Sequence, residues 1–300
     1  MRRCGGLPDG GLSRWTSSHQ RPRFTLMNGP APSTTCPREE ATGGPVNVAE
    51  RAGAARVFQP ELVVSPDVET MSRQALRRIL DVITQKPDAL ICLATGASPA
   101  RTYALLVEEG RRQPELLQKV RWLKLDEWAG LSPDHPGSSE RYLWERLLGP
   151  LQVRPEQYFG WNGQATDPAA ECQRMAAWLA RHGPMDLCIL GLGKNGHLAM
   201  NEPAAALQPG PHLARLTPET QQHPMLAETG ARVMSGFTLG MADLLASRRI
   251  LLLVCGEGKA SVLARLWREP VITTAFPASF LWLHPRVTIC CDRAAAAELD

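Results

Sequence analysis

Ala89-Leu-Ile-Cys-Leu-Ala94 is an unbroken apolar run, and Thr95-Gly96-Ala97-Ser98-Pro99 follows it at once. Six residues are too few for a buried helix, and the run lies between two segments of helical spacing, so it reads as a parallel strand buried on both faces. Upstream, Met71, Ala75, Leu76, Ile79, Leu80 and Ile83 recur at helical intervals as far as Pro87, with Ser65 and Pro66 as the expected cap and first helical position. Downstream, Ser98 and Pro99 suit the N-cap and first turn of a second helix over Ala100–Arg111.

The same alternation continues along the chain. Strands are expected at Val120–Leu125, Met185–Leu190, Ile250–Cys255 and Val287–Cys291, and helices at Glu140–Leu148, Pro168–Arg181 and Lys259–Trp267. That is the grammar of an α/β, doubly wound, mainly parallel sheet in a single domain over residues 55–300. In such a sheet, ligands bind in the crevice at the carboxyl ends of the strands, so the chemistry is expected just after strands.

The remaining sequence bounds the function. Of 300 residues, 44% are hydrophobic and 21% charged, which excludes a wholly disordered or collagen-like chain. A net charge of +3, from 33 basic and 30 acidic side chains, is too slight and dispersed for a nucleic-acid face. Apolar runs such as Ile250–Cys255 are far below the ~18 residues that cross a bilayer, so no membrane partner is expected. The eight cysteines lack zinc spacings, and Cys92, Cys188, Cys255, Cys290 and Cys291 sit in apolar runs. Reduced thiols and a cytoplasmic location follow. Residues 1–50 hold seven Gly, six Pro and nine Ser or Thr with no sustained period. Residues 1–54 therefore read as a disordered or non-native N-terminal extension, Arg-rich like a transit peptide but too broken by Gly and Pro for an amphipathic helix.

Four segments carry chemistry. Thr95-Gly96-Ala97-Ser98 offers helix N–H groups, a close-approach glycine and two hydroxyls to a phosphate, or is an ordinary strand-to-helix turn. Leu125-Asp126-Glu127-Trp128 places two acids at a strand end. In extended chain they point opposite ways, so one can face the crevice, where an apolar wall raises its pKa and makes it a proton acceptor. The alternative is pairing with Lys124 or Arg121. Gly191-Leu-Gly-Lys-Asn195-Gly-His197-Leu-Ala-Met-Asn-Glu202-Pro203 contains G-x-G-x-x-G, but Asn201 and Pro203 interrupt any following helix, which excludes a dinucleotide fingerprint. What remains is a loop presenting His197 and Glu202 as a general acid and the group that orients it. Gly256-Glu-Gly-Lys259 follows another strand and offers a lysine to an anion.

Taken in order, LATGASP (93–99), LDEW (125–128), GLGKNGHLAMNEP (191–203), GFTLG (236–240), GEGK (256–259) and ASFLWLHP (278–285) resemble the glucosamine-6-phosphate deaminase family over roughly residues 60–295. The Asn-Glu-Pro separates this pattern from the related 6-phosphogluconolactonases, which share only the Gly-His. The resemblance implies an enzyme of hydrolase/isomerase type that converts an amino-sugar phosphate and water to fructose 6-phosphate and ammonia, with no metal and no cofactor. It implies that Asp126 moves the C2 proton to C1, that His197 opens the sugar ring with Glu202 and Asn195 flanking it, and that Thr95, Gly96, Ala97, Ser98 and Lys259 hold the phosphate. A homo-oligomer is left open.

Departures from the family pattern are also visible. Many relatives carry Asp at position 195. A second phosphate ligand, an Arg, falls at Leu226, with only Arg215 or His223 near. The serines and basic residues of the allosteric loop are here Ala205, Ala206, His212 and Ala214, so control by that route is not expected. Galactosamine 6-phosphate, a lactone, or a non-catalytic sensor role are the competing readings; retention of Asp126, His197 and Glu202 together argues against the last.

Overall fold

A computed structural model describes residues 57–299 apart from 228 and 270. The expectation for residues 1–54 lies outside the described residues. Ten strands are present among the described residues: β1 Glu61–Ser65, β2 Leu90–Leu93, β3 Arg121–Lys124, β4 Asp126–Trp128, β5 Tyr158–Phe159, β6 Leu187–Gly191, β7 His212–Arg215, β8 Ser235–Thr238, β9 Ile250–Val254 and β10 Val287–Asp292. The α-helices are α1 Val68–Gln85, α2 Ala97–Arg112, α3 Ser139–Leu143, α4 Pro168–His182, α5 Pro224–Ala227, α6 Met241–Leu245 and α7 Ala260–Arg268.

Seven strands form one wholly parallel sheet in the order β1-β10-β9-β6-β2-β3-β5. Successive side chains of a strand alternate between faces, and here both faces are covered. Ile91, Leu93, Ile189, Leu251, Leu253 and Cys290 pack against Met71, Ala75, Ile79 and Ile83 of α1 and Tyr103 and Leu106 of α2. Leu90, Cys92, Cys188, Leu190, Leu252, Val254, Ile289 and Cys291 pack on the other side against Met175 of α4, Leu244 of α6 and Leu263 of α7. Two apolar layers either side of one sheet explain why the central strands read as continuous apolar runs instead of alternating ones.

Four local expectations need correction. Ser65 is the last residue of β1, paired in register with Asp292, and Asp67 caps α1 by accepting the Thr70 N–H at 2.6 Å. The carboxylate is an equal or better cap, and the strand continues to Ser65. Gly96 rather than Ser98 precedes α2, because its φ of 108° is open to glycine. The helix expected over Glu140–Leu148 is α3 followed by a π-helical turn, Trp144–Leu148. The strand expected over Val120–Leu125 leaves the parallel sheet after Lys124, and Asp126–Trp128 pair antiparallel with β8 in a separate three-stranded sheet, β4-β8-β7. That small sheet covers its own cluster of Trp128, Met200, Ala214, Leu216, Leu226 and Val233.

Among the described residues no helix is long and apolar enough to cross a membrane, and no group of three metal-ligating side chains occurs. The six described cysteines are free, with Cys255 and Cys172 partly exposed.

Candidate active site

A cavity of about 480 Å³ opens at the carboxyl ends of the four adjacent strands β3, β2, β6 and β9. Ala94 to Ser98 enter it after β2, Leu125 and Asp126 after β3, Gly191 to Lys194 and His197 after β6, and Cys255 and Lys259 after β9. The four motifs, separated by more than 160 residues of chain, therefore meet in one crevice.

One end of the cavity gathers a helix start, two hydroxyls and a lysine. The backbone turns at Gly96 and enters α2 with its first N–H groups unpaired within the helix, the arrangement that attracts negative charge. The loop is fixed from outside: the Tyr142 hydroxyl donates to the Gly96 carbonyl at 2.6 Å, and Thr95 Oγ1 lies 3.4 Å from Ser139 Oγ. Ser98 Oγ makes its contact with Cys255 Sγ at 3.6 Å. Lys259 reaches the same cavity with its ammonium anchored on the Leu192 carbonyl at 2.6 Å. Burial, and then the charge of Lys194, lower its pKa, so an anion arriving there relieves both costs.

Asp126 and Glu127 point to opposite sides of β4. Asp126 lines the cavity beside Leu125, and it is 8% exposed. Burial, then the like charge of Glu127, push its carboxyl up to about 7 against the opposing pull of Lys124. Glu127 instead faces a closed polar cluster. It accepts the Lys124 ammonium at 2.8 Å and the backbone N–H groups of Trp128, Ser139 and Glu140 at 2.9, 2.9 and 2.8 Å. Lys124, wholly buried, also bonds Glu140, which takes the Tyr158 hydroxyl at 2.6 Å and the Trp144 indole N–H at 2.8 Å. Of the two adjacent acids only Glu127 pairs with Lys124, and Arg121 points its Nε to the Asp88 carbonyl.

The glycine-rich loop holds His197 against the backbone. A methyl group on Gly193 would lie 2.5 Å from the imidazole, so only glycine leaves room for the ring. Gly196 takes φ 86°, and the chain returns through Ala199 at φ 54°, a conformation that costs an alanine about 1–2 kcal/mol. His197 Nδ1 lies 3.4 Å from Glu202 Oε2 and 3.4 Å from Thr220 Oγ1. Asn195 ties the group together: its side-chain amide donates to Glu202 Oε2 at 2.8 Å, and its Oδ1 accepts the backbone N–H of His197 at 3.1 Å. Burial raises the Glu202 pKa, but the hydrogen bond and charge of His197, with hydroxyl and amide donors around it, outweigh this and hold it at about 2. Asp126, His197, Lys259 and Thr95 to Ser98 line the cavity itself, while Glu202 and Asn195 stand behind the imidazole.

Several lining residues went unread in the sequence. Thr220 and Glu219 enter from the segment between β7 and β8, and Lys194 sits within the glycine-rich loop. Position 226, where the resemblance implies an arginine, is a leucine that is wholly buried with Trp128 and Met200. Arg215 is exposed on β7 and is not among the cavity residues, whereas His223 is.

The profile of the glucosamine-6-phosphate isomerases/6-phosphogluconolactonase family matches residues 67–289. AgaI of Escherichia coli (strain K12), for which a deaminase role has been put forward, is 45% identical over 214 residues, 71% of this chain and 84% of that protein. A glucosamine-6-phosphate deaminase of Geobacillus sp. (strain WCH70) is 37% identical over 243 residues, 78% of this chain and 94% of that one. Among solved structures, a monomeric glucosamine-6-phosphate deaminase superposes with a TM-score of 0.75 at 35% identity, covering 79% of this chain and 99% of the other.

Proposed function

Because the chain belongs to the glucosamine-6-phosphate isomerase/6-phosphogluconolactonase family, we propose that it deaminates and isomerises a 2-amino-2-deoxyhexose 6-phosphate, with glucosamine 6-phosphate the favoured substrate and fructose 6-phosphate and ammonia the products. The observation that carries this reading is Asp126: a buried carboxyl, facing the cavity, with its pKa pushed up to about 7. Aldose-ketose isomerisation needs one group that takes a proton from C2 and delivers it to C1. A carboxyl balanced near neutral pH does both with little driving force wasted.

In this mechanism the Asp126 carboxylate removes the C2 proton of the open-chain amino aldose; the electron pair forms the C1–C2 double bond as the C1–O π pair moves onto oxygen, which takes a proton from the C2 ammonium and becomes a hydroxyl. The proton on Asp126 then goes to C1, leaving an iminium at C2. Water adds to C2, ammonia departs with cleavage of the C–N bond, and the ketone remains. The hydrogen stays within the sugar, so the sequence is redox-neutral.

His197 is assigned ring opening, passing a proton between the C1 hydroxyl and the ring oxygen. Glu202 holds Nδ1 of the imidazole, and Asn195 holds Glu202. The turn of Thr95, Gly96, Ala97 and Ser98, with Lys259, is assigned the phosphate. The ionised Glu202 beside the imidazole supports deamination over the lactone hydrolysis found elsewhere in the family.

The test is ammonia release from glucosamine 6-phosphate and from its C4 epimer, galactosamine 6-phosphate, alongside hydrolysis of 6-phosphogluconolactone. Ammonia from the glucosamine ester ahead of the other is expected, and Lys259→Ala is expected to raise its KM about tenfold or more with little change in kcat. Lactone hydrolysis without ammonia from either ester would overturn the reading.

A further inference from the structure

His223 lines the cavity without a part in the chemistry above. It stands just before α5, where its Nδ1 accepts the backbone N–H of Met225 at 3.3 Å. A ring nitrogen that accepts carries no hydrogen, so the neutral imidazole carries its hydrogen on Nε2. That nitrogen faces the turn before α2: a methyl group built on Gly96 would lie 4.0 Å from His223 Nε2 and within 4 Å of nothing else beyond its chain neighbours. Gly96 thus leaves an open space bounded on its far side by an N–H donor. The ring is backed by Trp128, with centroids 5.6 Å apart and planes at 44°.

The surroundings keep this histidine neutral. Burial, then the positive charges of His197 and Lys259, push its pKa down to about 4. The other titratable or charged groups that line the cavity are Asp126, Lys194, Glu219 and Cys255. A neutral imidazole offers direction without adding a further full charge beside Lys259 and Lys194, which already repel one another.

We propose that His223 donates its Nε2 hydrogen to an oxygen of the phosphate held between the Gly96 turn and Lys259, as a binding residue of the substrate's anionic end. The proposal rests on the reading of that end as a phosphate site. It also accounts for a cavity in which position 226 is a buried leucine and Arg215 lies elsewhere.

The experiment titrates inorganic phosphate into the full chain by calorimetry, for wild type, His223→Leu, His223→Gln and Lys194→Ala, with steady-state kinetics on the amino-sugar phosphate in parallel. Loss of a hydrogen bond to a charged acceptor is expected to weaken phosphate binding about tenfold in His223→Leu and to raise KM by a similar factor, with kcat within about twofold. His223→Gln keeps an N–H donor at nearly the same reach and is expected to stay within about threefold of wild type. Wild-type phosphate affinity in a folded His223→Leu protein would overturn the proposal, as would a Gln variant no better than the Leu variant. A large loss confined to Lys194→Ala would assign the contact to that lysine and overturn it equally. If the enzyme turns over no amino-sugar phosphate, the functional reading fails on the kinetics, while the phosphate titration still decides the part played by His223.

Discussion

Asp126 and Glu127 are consecutive residues of one three-residue strand, and their carboxyl groups meet opposite surroundings. Behind the strand, Glu127 is surrounded by donors: a buried ammonium and three backbone N–H groups. In front, Asp126 faces the cavity, and burial, then the like charge of Glu127 at its back, raise its pKa to about 7. The same chemical group is thus a fixture on one face and, in the proposed mechanism, a proton acceptor on the other. The pleat of the strand separates the two roles by a single residue, and the donors behind hold the strand that presents the acceptor in front.

The rear cluster is where the largest stability effect is expected. Lys124→Met removes the only cation, among the described residues, that contacts both Glu127 and Glu140, and leaves the buried Glu127 carboxylate and the partly buried Glu140 without it. Breaking a buried ion pair from one side costs about 3–5 kcal/mol. For a domain of this size that is a fall in Tm of roughly 10 °C, measurable by calorimetry. A fall of no more than about 2 °C would show that Glu127 does not need its ion pair, and the contrast between the two faces would lose its physical basis.

The front face is expected to respond with the opposite sign. Asp126 has a folded pKa raised from about 3.8 to about 7, so its ionisation opposes folding above that range. Asp126→Asn is therefore expected to stabilise the protein at pH 8 by about 2–4 kcal/mol. The gain should shrink as pH falls through 7 and vanish below about 4, where the carboxyl is protonated both folded and unfolded. Urea midpoints at pH 8 and pH 5 check this, and a gain independent of pH would remove ionisation as its cause.

Glu202 sharpens the comparison within the front face. Its folded pKa is lowered from 4.5 to about 2, so its ionised form supports the fold above about 4.5 and that support is lost as pH falls toward 2. Glu202→Gln is expected to destabilise by about 1–3 kcal/mol at pH 7, opposite in sign to Asp126→Asn, and by less as the solution is acidified. Two stabilising substitutions, or two destabilising ones, would contradict the opposed environments. Asn195 enters through the same pair, because its amide donates to Glu202 and its Oδ1 takes the backbone N–H of His197. Replacing it with Asp would set one carboxylate against another, and the two would titrate together.

These contrasts were only partly legible in the sequence. Ala89–Ala94 followed by Thr95-Gly96 announced a buried strand and a turn into a helix because apolar continuity and a glycine both act locally. The alternation of Asp126 and Glu127 was readable for the same reason. The departure of the chain from the parallel sheet after Lys124 was not, since β4 is three residues long and its partner β8 lies more than 100 residues later. Nor did anything local mark Lys124 as buried: its partner Glu140 and that partner's ligand Tyr158 arrive from two other segments. His223, near Leu226 in the chain, was named beside Arg215 from the sequence, but only the turn before α5 decides that it and not Arg215 lines the cavity.

The smallest effect concerns backbone strain at the cavity wall. Ala199 holds φ 54°, so Ala199→Gly is expected to raise stability by no more than about 1 kcal/mol, the relief being partly offset by the greater freedom of glycine in the unfolded chain. A shift in the urea midpoint toward lower stability would mean that the alanine methyl contributes more by packing than its conformation costs.

The most direct test of the account is ammonia release by Asp126→Asn at saturating glucosamine 6-phosphate. The amide keeps the shape and removes the proton acceptor, so turnover is expected to fall to between about a hundredth and a ten-thousandth of wild type. Since the same substitution is expected to stabilise the fold at pH 8, unfolding would not explain the loss. A variant that keeps more than about a tenth of the wild-type rate, where removal of a general base costs at least a hundredfold, would contradict the assignment of the proton transfer to Asp126.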